Sequence, residues 1–414
     1  SRKIGLHLGM DQSHQELFSD GRAFCIMPWV HLHVTTRGQV QACCVGNIPF
    51  GNVNTAGIGE IWQGKAIREF RRKLLRDEPD PRCRVCYARE EAGAISLRQE
   101  TNARFRHHFP AVAGTTPDGT APAAQPAYWD IRFSNLCNFR CRTCWHGASS
   151  RWFEEAQALG NAAGPAAVIR AAEDDAAFTQ QLALLLPHTE EIYFAGGEPL
   201  LMPEHFRLLA GLIAAGHTGV RLRYNTNFSR LDYGGHDLAA LWAEFDSVSI
   251  GASLDLAGHR GEFLRKGQRW TQVEANRLRL QERCPRVRFA WHPTVSVFNV
   301  LHLPAFHRDW VERGWLEREA VFLNLLERPA HFNLKVLPPE LKAEVRQRFA
   351  EHLDWLGEAA ESVAAQFRGV QAFMDQAQWQ SKLPRFRAAC ARLDALRGEN
   401  TRAVFPELRT LWPA

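Results

Sequence analysis

Three cysteines in the run IRFSNLCNFRCRTCW, Cys137, Cys141 and Cys144, constrain this chain more than any other feature. Their C-x3-C-x2-C spacing puts three thiols on one short loop and omits a fourth. A structural zinc site or a saturated four-iron cluster takes four protein ligands. Three thiolates can hold three irons of a 4Fe-4S cubane and leave the last iron open to a small molecule. The loop follows YWDIRFS, an alternating run rich in strand formers, so it is expected at the C-terminal end of a strand.

About fifty residues later EEIYFAGGEPL reads as a second strand, ending in Gly196-Gly197-Glu198-Pro199. Two glycines let backbone carbonyls approach a ligand closely, and a carboxylate beside them can accept from an ammonium group. The stretches 220–229, 245–255, 287–299 and 320–329 each read as a buried strand with polar residues at its C-terminal end. Helical stretches such as EHFRLLAGLIAAGH lie between them. Six strands alternating with helices over residues 128–337 imply a parallel sheet with helices outside, an α/β class.

The triplet together with GGEP resembles the signature of the radical S-adenosylmethionine (SAM) superfamily. That resemblance implies a partial (β/α)6 barrel, an incomplete relative of the eight-fold barrel. It also implies a 4Fe-4S cluster on Cys137, Cys141 and Cys144 whose open iron chelates the amino and carboxylate groups of SAM. Gly196, Gly197 and Glu198 would meet the methionine end of SAM, Ser253 and Asp255 its ribose, and Arg265 its carboxylate. Asn225 and Asn227 would also face the cavity, and the adenine would rest near Trp145 and Val295. Ser253, Asp255, Arg265, Asn225 and Asn227 each have an alternative reading as an ordinary turn or helix-cap residue.

The first hundred residues carry a second cysteine set. Cys25 precedes PWVHLHVTTRGQVQACC, a hairpin with Gly38 at its turn, and Cys43 lies five residues after that glycine. Cys83 and Cys86 follow in PRCRVCY. Over residues 22–90 this pattern resembles a twitch domain, the shortened form of the SPASM auxiliary-cluster module. The resemblance implies a second 4Fe-4S cluster on Cys25, Cys43, Cys83 and Cys86, with Cys44 as the alternative to Cys43. A zinc ribbon is the competing reading, since two cysteine pairs also make a tetrahedral zinc site. Such modules usually follow the barrel, whereas this one precedes it.

These readings give four segments: a small α+β twitch-like domain over residues 1–110, a linker or exposed loop over 111–127, the barrel over 128–337, and a helical C-terminal region over 338–414. The last begins after a Pro-Pro stop and is expected to pack on the barrel's outer face or close its open side. The chain has 414 residues, enough to bury a large core. Its net charge of +5 does not call for nucleic acid. The basic helix at 65–76 reads as a solvated face. No apolar run is long enough for a membrane span, and the N-terminus lacks a secretory pattern. Ten cysteines, most at metal-site spacing, argue for a reducing cytoplasm rather than disulfides. Cys284 and Cys390 read as ordinary thiols.

The resemblance implies an oxidoreductase supplied by an electron donor such as flavodoxin or ferredoxin, which cleaves SAM and removes hydrogen from an unactivated C–H bond. An auxiliary cluster that accepts an electron favours dehydrogenation or cross-linking over epimerisation. Ribosomally made peptides or proteins are the first substrate class. Sugars, aminoglycosides or other small molecules are the alternative, and a non-catalytic metal-binding scaffold is a third reading. Only some twenty residues precede the twitch-like module, which lowers the peptide reading without excluding it, because a separate partner could carry the leader. His292, Asn324, Glu327 and His331 are candidates for a base or substrate contact at the rim.

Overall fold

The computed structural model describes residue 17 and residues 21–91, 95–161 and 164–412. It divides into two compact units. One comprises Ser1–Ser134, Arg170–Phe194 and Ala210–Val220; the other comprises Asn135–Ile169, Ala195–Leu209 and Arg221–Ala414.

In the first unit the expected hairpin is present. Strand β1 (His31–Val34) turns through Gly38, at φ +75°, into β2 (Gln39–Gln41), which pairs in turn with β3 (Pro49–Asn52). A Cβ at Gly38 would come within 2.4 Å of the Ala171 carbonyl oxygen, so only glycine fits this turn. The other edge of β1 runs parallel to β4 (Tyr128–Ile131), which runs parallel to β5 (Glu191–Phe194). The N-terminal hairpin thus shares a sheet with the strand leading to the cysteine triplet. The register sets His31 beside Tyr128 and His33 beside Asp130.

Helix α1 (Lys65–Leu75) covers this unit because Ile67, Phe70, Arg71 and Leu74 repeat at helical spacing and are buried. Phe70 and Leu74 join a core that includes Phe24, Trp29, Phe105, Phe109 and Tyr128. Arg71 departs from the expected solvated face. It is fully buried, its Nε donates to the Pro28 carbonyl at 3.0 Å, and its guanidinium lies 5.3 Å from the Trp62 ring. Burial lowers its pKa to about 10. Residues 111–127, expected as a linker or exposed loop, bury Ala111, Val112, Ala121, Ala124 and Ala127 in the same core. Small side chains let this irregular backbone lie close against α1's unit, and Trp62 Nε1 donates to the Ala124 carbonyl at 3.0 Å.

In the second unit β6 (Arg221–Thr226), β7 (Val248–Ala252) and β8 (Arg288–Trp291) run parallel. Thr226 and Trp291 both stand opposite Ala252, so the three strands end flush. Asn227, Ser253 and His292, one residue further on, consequently share one rim. The stretch expected as a single strand over 287–299 breaks at Pro293, which has no N–H to donate. It resumes as β9 (Thr294–Val295), paired with β10 (Asn324–Leu325), which is all that remains of the strand expected over 320–329 apart from a Trp291–Val321 bridge.

After Pro338 three long helices follow: α2 (Pro339–Leu356), α3 (Glu361–Asp375) and α4 (Leu383–Arg397). The Pro-Pro pair starts α2 as expected, with Pro338 at the N-cap and Pro339 in the first turn. The chain is thus a mixed α/β protein whose principal strands run parallel. No helix among the described residues is long and apolar enough to cross a membrane.

Candidate active site and iron-sulfur sites

The three-cysteine loop is shaped by its own polar side chains. Asn135 donates to the carbonyls of His146 and Ala167 and accepts from the Ile169 N–H, at 2.8, 3.1 and 2.8 Å. Ser150 Oγ accepts from the Cys137 N–H at 3.2 Å, and Trp152 Nε1 donates to the Cys141 carbonyl at 2.9 Å. The Gly-Gly-Glu-Pro turn sits directly on this loop. The Glu198 N–H donates to the Leu136 carbonyl at 2.7 Å, and a Cβ at Gly197, φ +54°, would stand 2.3 Å from that same oxygen.

Cys137 is buried; Cys141 and Cys144 are half-buried. Burial, reinforced by the Glu198 charge, pushes the Cys137 thiol up to about 12. Burial also pushes up Cys141 and Cys144, with Arg265 opposing it at both. A buried bare thiolate is costly, and a metal removes that cost by taking the proton's place. Arg265 is buried, with Nη1 4.0 Å from Cys141 Sγ and Nη2 2.9 Å from Asp255 Oδ1, and its Nε has no partner.

Glu198 is tied to the strand rim. It accepts from Thr226 Oγ1 and the Asn227 N–H, both at 2.7 Å, and from the Leu200 N–H at 3.2 Å. Burial raises its carboxyl to about 7 against these bonds. Asn227 Nδ2 donates to Asn138 Oδ1 at 2.8 Å, which links the rim back to the loop between Cys137 and Cys141. Asp255 also accepts from the Thr294 N–H at 2.9 Å. Ser253 is half-buried beside it, its N–H on the Thr226 carbonyl at 2.8 Å. Asn225 Oδ1 meets His292 Nδ1 at 2.9 Å. Burial and Arg223 lower His292 to about 4, so its imidazole is neutral at physiological pH.

The structure thus brings together Gly196, Gly197, Glu198, Asn227, Asp255 and Arg265 around the three cysteines. Asn225 and His292 form a pair on the same rim. Asn324, Glu327 and His331 are not joined to these groups by any hydrogen bond among the described residues. Asn324 is half-buried in β10, Glu327 is exposed, and His331 packs on Phe332 with ring centroids 4.4 Å apart. Of the two residues expected beneath an adenine, Trp145 is 63% exposed, whereas Val295 is fully buried in β9 and offers no surface. Thr226, Asn138 and Gly251 escaped the sequence reading. A Cβ at Gly251 would stand 2.2 Å from His292 Nδ1, so this glycine makes room for the imidazole.

In the first unit Cys25, Cys43, Cys83 and Cys86 line one pocket with Met27, Val45, Val85 and Leu97. Cys44 is exposed and does not line it. Gly46 N–H donates to Cys43 Sγ at 3.3 Å, and a Cβ at Gly46 would stand at the same distance from the sulfur. Burial pushes Cys25 well above its usual range, and the neighbouring thiols raise it further; Cys83 rises to about 12 for the same reasons. Arg98 borders the pocket, its Nη2 2.6 Å from Glu90 and its Nη1 2.7 Å from the Phe24 carbonyl.

A buried polar group that the sequence did not suggest lies on β1 and β4: His31, His33 and Asp130. Asp130 already holds Arg132 through two bonds of 2.5 and 2.9 Å, and His33 Nδ1 lies 3.3 Å from its Oδ2. The Arg132 guanidinium thus matches the Asp130 carboxylate charge within this buried group.

Residues 25–87 match the SPASM family, described as an iron-sulfur cluster-binding domain. The chain is also structurally similar to several solved proteins. One is native anSMEcpe with bound AdoMet and Cp18Cys peptide, at TM-score 0.38 and 16% identity over 54% of this chain and 57% of that one. Another is TYW1 with a lysine-pyruvate adduct bound, at TM-score 0.30 and 13% identity over 56% and 71%. A third is Streptococcus suis SuiB bound to precursor peptide SuiA, at TM-score 0.32 and 11% identity over 82% and 68%. The chain spans a little over half the length of anSMEcpe. None of the curated proteins matches the sequence.

Proposed function

We propose that this chain is a radical SAM enzyme that oxidatively modifies an unactivated C–H position of a peptide or protein, by dehydrogenation or cross-linking. One observation carries the reading. Three thiols, one buried and two half-buried, the Gly-Gly-Glu-Pro turn, and the Arg265–Asp255 pair meet beside the flush C-terminal ends of parallel strands, within one unit. In this reading residues 128–337 make the partial (β/α)6 barrel, and Cys137, Cys141 and Cys144 hold a 4Fe-4S cluster whose open iron takes SAM.

When bound and reduced, that pair of cofactors supplies a 5'-deoxyadenosyl radical. The chain's own work is positioning. Gly197 lets the turn lie against the Leu136 carbonyl, Glu198 fixes the turn to Thr226 and Asn227, and Arg265 offers a guanidinium fork to the SAM carboxylate. His292, held by Asn225 and neutral, is a hydrogen-bonding group at the rim available to substrate. Cys25, Cys43, Cys83 and Cys86 would saturate an auxiliary 4Fe-4S cluster suited to accepting an electron.

The test is iron and sulfide per chain after anaerobic reconstitution, with 5'-deoxyadenosine formation measured under reduction. The parent is expected to hold about eight irons and to cleave SAM. A Cys137→Ala, Cys141→Ala, Cys144→Ala variant is expected to hold about four and to cleave none. About four irons in the parent and none in the variant, with zinc present, would reduce the N-terminal set to a structural site. A parent that binds iron yet never cleaves SAM would leave the scaffold reading.

A further inference from the structure

We propose that the C-terminal helix α4 and the turn after it form a latch that fixes the three-cysteine loop, with Asp394 and Glu399 as positioning residues acting through Arg142 and Lys266. The proposal rests on the cluster assignment above.

Arg142, between Cys141 and Cys144, has a side chain with no exposure to solvent. Its Nη2 donates to Asp394 Oδ1 at 2.5 Å and to Glu399 Oε2 at 2.7 Å, and its guanidinium lies 3.9 Å from the Phe263 ring centroid. Arg140, between Cys137 and Cys141, is held from the same helix. Arg397, itself without exposure, donates to the Arg140 carbonyl at 2.7 Å and to Glu155 at 2.6 Å, while Glu155 also binds Arg140 at 3.1 Å. Every basic residue inside the cysteine loop is therefore gripped from the C-terminal tail or through Glu155.

The second grip falls on the segment carrying Arg265. The N–H groups of Arg140 and Arg142 donate to the carbonyls of Lys266 and Leu264, at 2.9 and 2.7 Å, so the loop pairs with the backbone on both sides of Arg265. Glu399 spans this pairing: one oxygen binds Arg142 and the other binds Lys266 at 2.7 Å. One carboxylate thus sets the distance between the strand of chain bearing Cys141 and that bearing Arg265. A buried ion network of this kind adds little stability over a well-packed apolar contact. What it supplies is directional register, which a cluster held by only three thiolates requires.

The experiment follows iron release to a ferrous chelator from the full reconstituted chain, in parent, Glu399→Gln, Asp394→Asn and Lys266→Met forms. In the latch variants the iron of the three-cysteine loop is expected to leave about tenfold faster than in the parent, while the iron of the N-terminal set leaves at the parental rate. Glu399→Asp should lie between. Asp375→Asn, which breaks the exposed pair with Arg346 on the same tail, should leave both rates unchanged. Lys266→Met removes only one of Glu399's contacts at a partly exposed site, so it tests the idea even if the buried variants do not fold. Parental rates in all latch variants, or equal acceleration of both iron pools, would overturn the latch. If the triple cysteine variant keeps all its iron, the cluster assignment itself has failed, and the latch with it.

Discussion

Cys25, Cys43, Cys83 and Cys86 reach their pocket from three separate stretches of chain, and mostly apolar side chains line it with them, Arg82 and Arg98 excepted. Cys137, Cys141 and Cys144 arrive on one short loop, surrounded by Glu198, Asp255, Arg265 and the amides of the β6 rim. In the proposed reading the first set would fill all four coordination positions of a cluster, and the second would leave one position open with charged and hydrogen-bonding groups around it. The number of thiols and the character of the neighbouring side chains vary together.

The largest effect that would break this comparison concerns membership of the first set. Cys43→Ser is expected to remove about half of the reconstituted iron, and Cys44→Ser none, because Cys43 lines the pocket and Cys44 is exposed. Iron analysis of the two variants decides it, and the reverse outcome would move the cluster to the other face of the hairpin.

Charge at the second set gives a smaller effect. Arg265→Lys keeps the cation but loses the fork that spans Asp255 and the cysteine side. SAM binding, measured by titration of the reconstituted protein, should weaken by about tenfold, with iron content unchanged. Equal loss of iron and SAM would mean that Arg265 serves the loop alone.

The smallest effect separates the units by acid sensitivity. In the second unit His307 Nδ1 and His352 Nε2 are 3.0 Å apart and buried; burial lowers His307 to about 4 and, with the facing His307, lowers His352 to about 3. The Arg318 carbonyl, 3.0 Å from His307 Nε2, opposes the shift, while the charges of Arg318 and Arg308 reinforce it. Because these folded-state values lie below the unfolded value near 6.5, the unfolded chain binds more protons between about 3 and 6.5. Stability contributed here is present above that window and lost as pH falls through it. His352→Phe should flatten part of the acid limb of the melting temperature. His31 in the first unit, and His205, His292 and His331 in the second, all lowered chiefly by burial, leave the remainder. An unchanged limb would place the acid-sensitive step elsewhere.

Much of the candidate site was legible because its chemistry is local in sequence. The cysteine spacings, the Gly-Gly-Glu-Pro turn, the Gly38 hairpin and the Pro-Pro start of α2 each lie within a few residues, where backbone geometry and ligand count leave few options. The adenine surface failed at Val295 because burial depends on what packs across the unit, not on hydrophobicity. Arg71 failed for the same reason: periodicity marks a face as inward, but only the facing Pro28 carbonyl and Trp62 ring explain why an arginine occupies it.

The sequence by itself determined two cysteine sets, their different numbers of thiols, and the alternation that yields parallel strands. Tertiary structure alone decided that β1 extends the sheet at β4, that Cys43 and not Cys44 enters the pocket, and that Arg142 meets Asp394 and Glu399 some 250 residues away. Ion pairs and strand partners between distant segments depend on which surfaces meet after burial, and no short-range pattern encodes that meeting.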